Sequence, residues 1–341
     1  MFFSADVSID SPFIEMADCK PYGDRPNQVR RTIAPELSKT PLLLVNKACT
    51  KFLYSNLNIV FKDGFQSICA PRQDKDKLLF LTAILSSPLT QYLLFHTTAN
   101  IGIERDIARL EEILDLPFPL PEDMHDPKRS KSILKSCARR LRRLREELNK
   151  PKNLLKRAIL LQDAQDELYK LICEYFQICE WESDLIKDTV EIFRPSSTPG
   201  SLESESLLTA SPSQPAHRQE YVETLVRTFR GWTRTKRHLC AEGSIATKIG
   251  VALITFSVGD RAKKYVETVL EDRVMQALDN IRKATAQDGV MFHRLRGFAL
   301  YEPDRVHILK PLSRRHWTRT AALNDADEIL TRMMEENGWR D

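Results

Sequence analysis

Apolar positions along the chain follow two different periods, and the change from one to the other marks its elements. A short continuous apolar run, PLLLVNK at 41–47, is bounded by Pro41 and Lys47 and predicts a buried strand. Two more short strands are expected at 57–61 and 66–70, joined as a hairpin around Lys62, Asp63 and Gly64. From 76 to 95 the period becomes helical, with Leu78, Leu81, Leu85, Leu89 and Tyr92 on the pattern. Pro88 inside that stretch is expected to kink the helix or split it in two. Residues 97–105 read as a polar loop, and Pro117, Pro119 and Pro121 as an extended strap, because proline lacks an amide donor and biases its predecessor away from helix.

After Pro127 the pattern is that of a coiled-coil helix. Leu134, Cys137, Leu141, Leu144 and Leu148 alternate spacings of three and four, which lines them up as one apolar seam. Lys150 and Pro151 break this helix. A second seam follows at Leu154, Ala158, Leu161, Leu168, Ile172 and Tyr175, with Gln165 its one polar member. Two such helices with so short a break are expected to pack antiparallel. Residues 195–217 are rich in Pro and Ser and read as a flexible linker. Beyond it, Tyr221, Leu225, Phe229 and Trp232 recur at helical spacing, 246–258 reads as a strand, 272–286 as a helix and 294–311 as a hairpin turning at EPDR. A terminal helix is expected over 325–337, with Asn324 as its cap. The fold class is therefore α+β, in four parts: a small mixed-sheet recognition-type domain at 1–127, a long helical hairpin at 128–194, the linker at 195–217, and a separate small α+β domain at 218–341.

Charge sharpens this picture. Between Lys128 and Arg157 the chain carries thirteen Lys or Arg against Glu146 and Glu147 alone, a local excess of +11 (13 − 2) where the whole chain totals +4. Arg139, Arg140, Arg142, Arg143 and Arg145 lie off the apolar seam. Such a run is either a solvated helix face or a nucleic-acid contact, since clustered cations gain from counterion release at phosphates. A second basic cluster, Arg314, Arg315, His316 and Arg319, surrounds Trp317, which is either a stacking residue or a core anchor. The seven cysteines form no CxxC pair and are expected to be reduced, without a metal site. No run of eighteen apolar residues exists, and MFFSADVSID lacks the features of a signal peptide, so a soluble cytoplasmic protein with no membrane partner is expected.

The order of elements carries a resemblance. Strand PLLLVNK, the helix LLFLTAILSSPLTQYLLF, the loop TTANIGIERD, the strap LPFPLPE and then a long helix resemble the target-recognition region of adenine-specific DNA methyltransferases of restriction-modification and phage-defence systems. The segment DAQDELYKLICEYFQICEWESDLIKDTV at 163–190 is similar to the close of that region, and the likeness covers about residues 20–195. It is similar to the C-terminal half of the fused restriction-methylase type, and more distantly to separate specificity subunits. The resemblance implies double-stranded DNA as ligand and a methyltransferase catalytic subunit as partner, with the helices after the recognition region acting as spacers.

The catalytic half of that family carries a glycine-rich S-adenosylmethionine loop and an Asn-Pro-Pro-Tyr or Asp-Pro-Pro-Tyr motif that holds a flipped base. Neither motif occurs here. No catalytic residue, metal ligand or bound cofactor is therefore expected of this chain, and S-adenosylmethionine is expected only on the partner. A nuclease reading of EPDRVHILK fails because Ile308 stands where a second acid would be needed. The expected DNA contacts are Lys47, Lys62, Arg72, Asn100 and Arg105 in turns or at element ends, Arg139, Arg140 and Arg143 on the basic helix, and Arg314 and Arg315 beyond the linker. Two function classes stay open. One is the DNA-recognition portion of a split or truncated methyltransferase, and the other is a non-catalytic protein-interaction subunit of a defence complex or a degenerate enzyme fragment.

Overall fold

The computed structural model describes residues 2–3, 11–19, 35–61, 64–101, 107–197, 212–232, 238–287, 298–302 and 305–337. The chain is α+β and divides into two compact units, Met1–Ile186 and Lys187–Asp341.

In the first unit a three-stranded antiparallel sheet runs β3 (Phe52–Ser55), β2 (Leu42–Asn46), β5 (Phe65–Cys69). A two-residue parallel pair joins β1 (Phe2–Phe3) to β4 (Val60–Phe61). The apolar run of β2 is explained by burial on both faces. Leu43 and Val45 face the main core with the helices, whereas Leu42 and Leu44 pack with Ile14, Leu53 and Ile59 on the other side. The expected hairpin between 57–61 and 66–70 does not form: β5 pairs with β2, and β4 pairs with β1. The hairpin that does form is β2–β3. The side-chain carbonyl of Asn46 fixes its turn by accepting from the amides of Thr50 (2.9 Å) and Lys51 (2.8 Å).

The helical stretch splits as expected. α1 (Lys75–Leu85) and α2 (Pro88–Thr97) meet at 65°, with Pro88 at the first position of α2, where its missing amide costs no hydrogen bond. A short α3 (Leu110–Leu114) precedes the strap. Tyr175 donates to the carbonyl of Pro119 at 2.8 Å, and Phe80 packs between Tyr175 (4.8 Å) and Phe118 (6.1 Å), so the strap is fastened to the helices by aromatic contacts.

α4 (Pro127–Leu148) begins at an Asp126 cap whose carboxylate accepts from the Arg129 amide at 3.0 Å. Its seam is buried as the spacing predicts, with Cys137, Leu141 and Leu144 at 0–2 % exposure. α5 (Arg157–Phe176) follows a 3-10 stretch, Pro151–Lys156, and runs back along α4, since Arg129 meets Glu174 and Arg140 meets Glu167. The second seam differs from the sequence reading. Leu154, Ala158 and Gln165 are exposed, and burial begins further along with Ala164, Leu168, Tyr169, Ile172 and Tyr175. α5 ends at Gln177 in the left-handed conformation (φ 56°), with the Ile178 amide returning to Cys173 at 2.8 Å. α6 (Glu180–Asp188) closes the unit.

In the second unit a five-stranded sheet has the order β8 (Val266–Val269), β6 (His238–Ala246), β7 (Val251–Gly259), β10 (Arg305–Pro311), β9 (Phe298–Glu302). All its pairs are antiparallel except β6–β8. The expected strand at 246–258 is thus β7 alone, and β6 is an additional strand. The turn between them needs Gly250, whose φ is +67°. The expected hairpin is β9–β10, although Pro303 and Asp304 of its turn lie outside the described residues. Residues 212 and 313 pair, and α7 (Pro215–Trp232) starts directly after. α7 and α9 (Arg319–Asn337) share a core on one face with Ile254, Phe256 and Ile308, while Val274 of α8 (Glu271–Gln287) packs on Leu253 and Leu309 on the other. α9 starts earlier than expected, and Asn324 lies inside it. Its cap is Thr318, whose hydroxyl accepts from the Ala321 amide at 3.0 Å, aided by the Asp188 carboxylate on the Thr320 amide at 2.9 Å.

Candidate nucleic-acid interface

The arginines of α4 divide by what they touch. Arg145 forms a two-pronged pair with Glu15, through Nε at 2.5 Å and Nη2 at 2.7 Å, and stacks 5.9 Å from the ring centre of Phe13. That hydrogen-bonded guanidinium holds the Glu15 carboxyl below its ordinary range. Arg142 pairs with Asp76, Arg140 with Glu167 and with Glu147 at 3.4 Å, and Arg143 with Glu147 at 2.9 Å. Four of the five arginines thus spend charge on carboxylates of their own chain. Arg140 is the most enclosed of the expected contacts on this helix, its side chain only 14 % exposed. Arg143 stays 73 % exposed despite its pair.

Arg139 is exposed and has no carboxylate partner among the described residues, and the same holds for Lys128 and Lys135. At ~100° per residue these three fall within about 40° of one line along the helix, diametrically opposite Cys137 and Leu144. They span about 16 Å at 1.5 Å per residue. Lys128 and Lys135 are not among the expected contacts, although their i, i+7, i+11 spacing with Arg139 is visible in the sequence. A straight row of unpaired cations on a helix anchored by its opposite face can follow a phosphate backbone without rearranging.

The expected contacts outside α4 are distributed unevenly. Lys47 is exposed in the turn after β2; its amide donates to Gly64 (3.0 Å), and its carbonyl accepts from the amide of Ala108 (2.9 Å). The turn at 47, the strand start at 64 and the segment entering α3 are therefore joined at one end of the sheet. Lys62 and Arg105 belong to the chain next to those segments but lie outside the described residues. Asn100 is half-buried in the bend after α2. Arg72 is exposed in a 3-10 turn, Arg72–Asp74, past the other end of β5, so the sheet does not bring it to Lys47. Close to α4, burial and then Arg142 and Arg145 lower the pKa of the Lys75 ammonium, a concentration of positive charge at the start of α1.

In the second unit, Arg314 donates to the Trp317 carbonyl, and Arg319 pairs with Glu220 at 2.8 Å. Arg315 is half-exposed. Trp317 is fully buried, its indole donating to Pro311 at 2.7 Å, so it is a core anchor and offers no face for stacking. Lys310 is buried and paired with Asp325. Among the described residues, no three His, Cys, Asp or Glu side chains gather in a group able to hold a metal ion, and no single helix is long and apolar enough to cross a membrane. Compared with family models, with curated proteins and with solved structures, the chain has no match in any of the three.

Proposed function

We propose that this chain is the DNA-binding, target-recognition portion of an adenine-specific DNA methyltransferase of a restriction-modification or phage-defence system, with methyl transfer and S-adenosylmethionine supplied by a separate catalytic subunit. The observation that carries the reading is the row Lys128, Lys135 and Arg139, unpaired among the described residues and opposite the buried seam. The resemblance of residues 20–195 adds the substrate class. In this reading α4 grips the backbone, while the turn end around Lys47 reads base edges. A second reading, a non-catalytic protein-interaction subunit, draws support from the pairing of Arg140, Arg142, Arg143 and Arg145 with carboxylates, which leaves fewer cations for phosphate.

Fluorescence anisotropy with a randomised duplex pool, followed by sequencing of the retained fraction, separates the two. The DNA reading expects duplex binding with an enriched site, and Asn100→Ala should relax that preference while binding persists. Absence of duplex binding at low salt by the pure chain would leave the protein-interaction reading.

A further inference from the structure

The turn between α4 and α5 is the tip of the helical hairpin, since both helices run back from it, side by side. Asn153 holds that tip in one shape, donating through its side chain to the Glu147 carbonyl at 2.8 Å and through its amide to the Lys150 carbonyl at 2.9 Å. On it Leu154, Leu155 and Ile159 are 72 %, 97 % and 62 % exposed. Lys150, Lys152 and Lys156 stand exposed around them, with Arg157 half-buried. No acidic residue lies between Glu147 and Asp163, and Glu147 is engaged by Arg140 and Arg143, so none of these four cations has a carboxylate partner among the described residues. Aliphatic side chains clustered on a protruding turn and rimmed by charge mark a contact surface.

From this we infer that the tip docks reversibly on an anionic lipid surface, Leu155 entering the boundary of the acyl chains while the cations around it meet lipid phosphates. Apolar insertion and attraction to anionic headgroups add in such a contact, and lysine suits it because its long stem lies along the apolar layer while its ammonium stays at the phosphates. The composition argues against a protein groove, since lysine is depleted at protein interfaces and leucine is uncommon among their energetic anchors. So does the shape. In the 3-10 turn Leu154 and Leu155 point about 120° apart, which one groove does not accommodate and a fluid acyl layer does. A DNA duplex would engage the cations and leave three aliphatic side chains in water. The lack of an apolar span bears on crossing a bilayer and not on a peripheral contact of this kind. Lipid docking goes beyond the DNA-binding proposal and does not depend on it.

Flotation of the full chain with vesicles of equimolar phosphatidylcholine and phosphatidylglycerol, and with phosphatidylcholine alone, tests it. Binding to the anionic vesicles is expected, weakening as salt rises, with little binding to the neutral ones. Leu155→Ser, at a position too exposed to affect folding, should weaken it roughly tenfold, as loss of a buried leucine does. Lys152→Ala and Lys156→Ala should each weaken it roughly fivefold. Duplex binding by Leu155→Ser should equal the parent's, so lipid docking and DNA binding fail separately. No binding to the anionic vesicles at low salt would overturn the inference. So would vesicle binding indifferent to Leu155→Ser, which is adsorption through charge alone, or a chain that ignores vesicles and self-associates through Leu155, which is a protein contact.

Discussion

Lys310 and Asp325 give the sharpest energetic test of the second unit. The Lys310 side chain is 2 % exposed, paired with Asp325, and its ammonium lies 4.5 Å from the ring centre of Tyr221. Tyr221 in turn donates to Asp325 at 2.5 Å, and Trp317 closes the site 6.0 Å from the ammonium. Asp325→Asn keeps the shape and an acceptor for Tyr221 but removes the carboxylate paired with the ammonium. Breaking a buried pair from one side costs about 3–5 kcal/mol. Lys310→Met removes the demand itself and should cost much less, within about 2 kcal/mol of the parent in either direction. Urea unfolding at pH 7, followed by tryptophan emission and by circular dichroism, measures all three chains. A loss under about 1 kcal/mol for Asp325→Asn, or an equal loss for Lys310→Met, would refute the reasoning.

Two further substitutions probe close packing and surface charge. In Gly243→Ala the new methyl would meet the Tyr265 ring, with Cζ at 3.1 Å, and Tyr265 is tied to Glu267 at 2.9 Å, so the change should destabilise the second unit by about 1–3 kcal/mol in a thermal melt. Glu15 has its folded pKa depressed by Arg145, so its contribution to stability is present above the unfolded carboxylate pKa and lost as pH falls through the folded one. Glu15→Gln should therefore flatten the acid limb of the stability curve of the first unit; an acid limb identical to the parent's would show that the pair contributes nothing.

What the sequence made legible was local. The α4 seam, the strap, the break at Pro88 and the strand at 42–46 each rest on a period or a proline, and those act within a few residues. The missed strands had weaker local marks. β6 contains Glu242 and Gly243, and Gly243 belongs there only because Tyr265 approaches it from another segment. The β2–β3 hairpin hid its turn in Asn46, whose side chain does the work of a turn backbone. The second seam differs from its expectation because Leu154 and Ala158 fit the helical period, and period alone does not say whether a partner covers the face. The arginine pairs were beyond reach for the same reason: Glu15 is 130 residues from Arg145, and Asp76 is 66 from Arg142. Those distant carboxylates turned a uniformly basic helix into one with a narrow free row.

That row is the centre of the account, and salt dependence of DNA affinity measures it most directly. In Lys128→Ala/Lys135→Ala/Arg139→Ala the α4 seam and its carboxylate pairs are untouched, and circular dichroism should match the parent. If the three cations contact phosphates, the slope of log affinity against log salt should become shallower by about 0.9 per contact, up to ~2.7, on every duplex sequence alike. An unchanged slope with the fold intact would contradict DNA binding through this face.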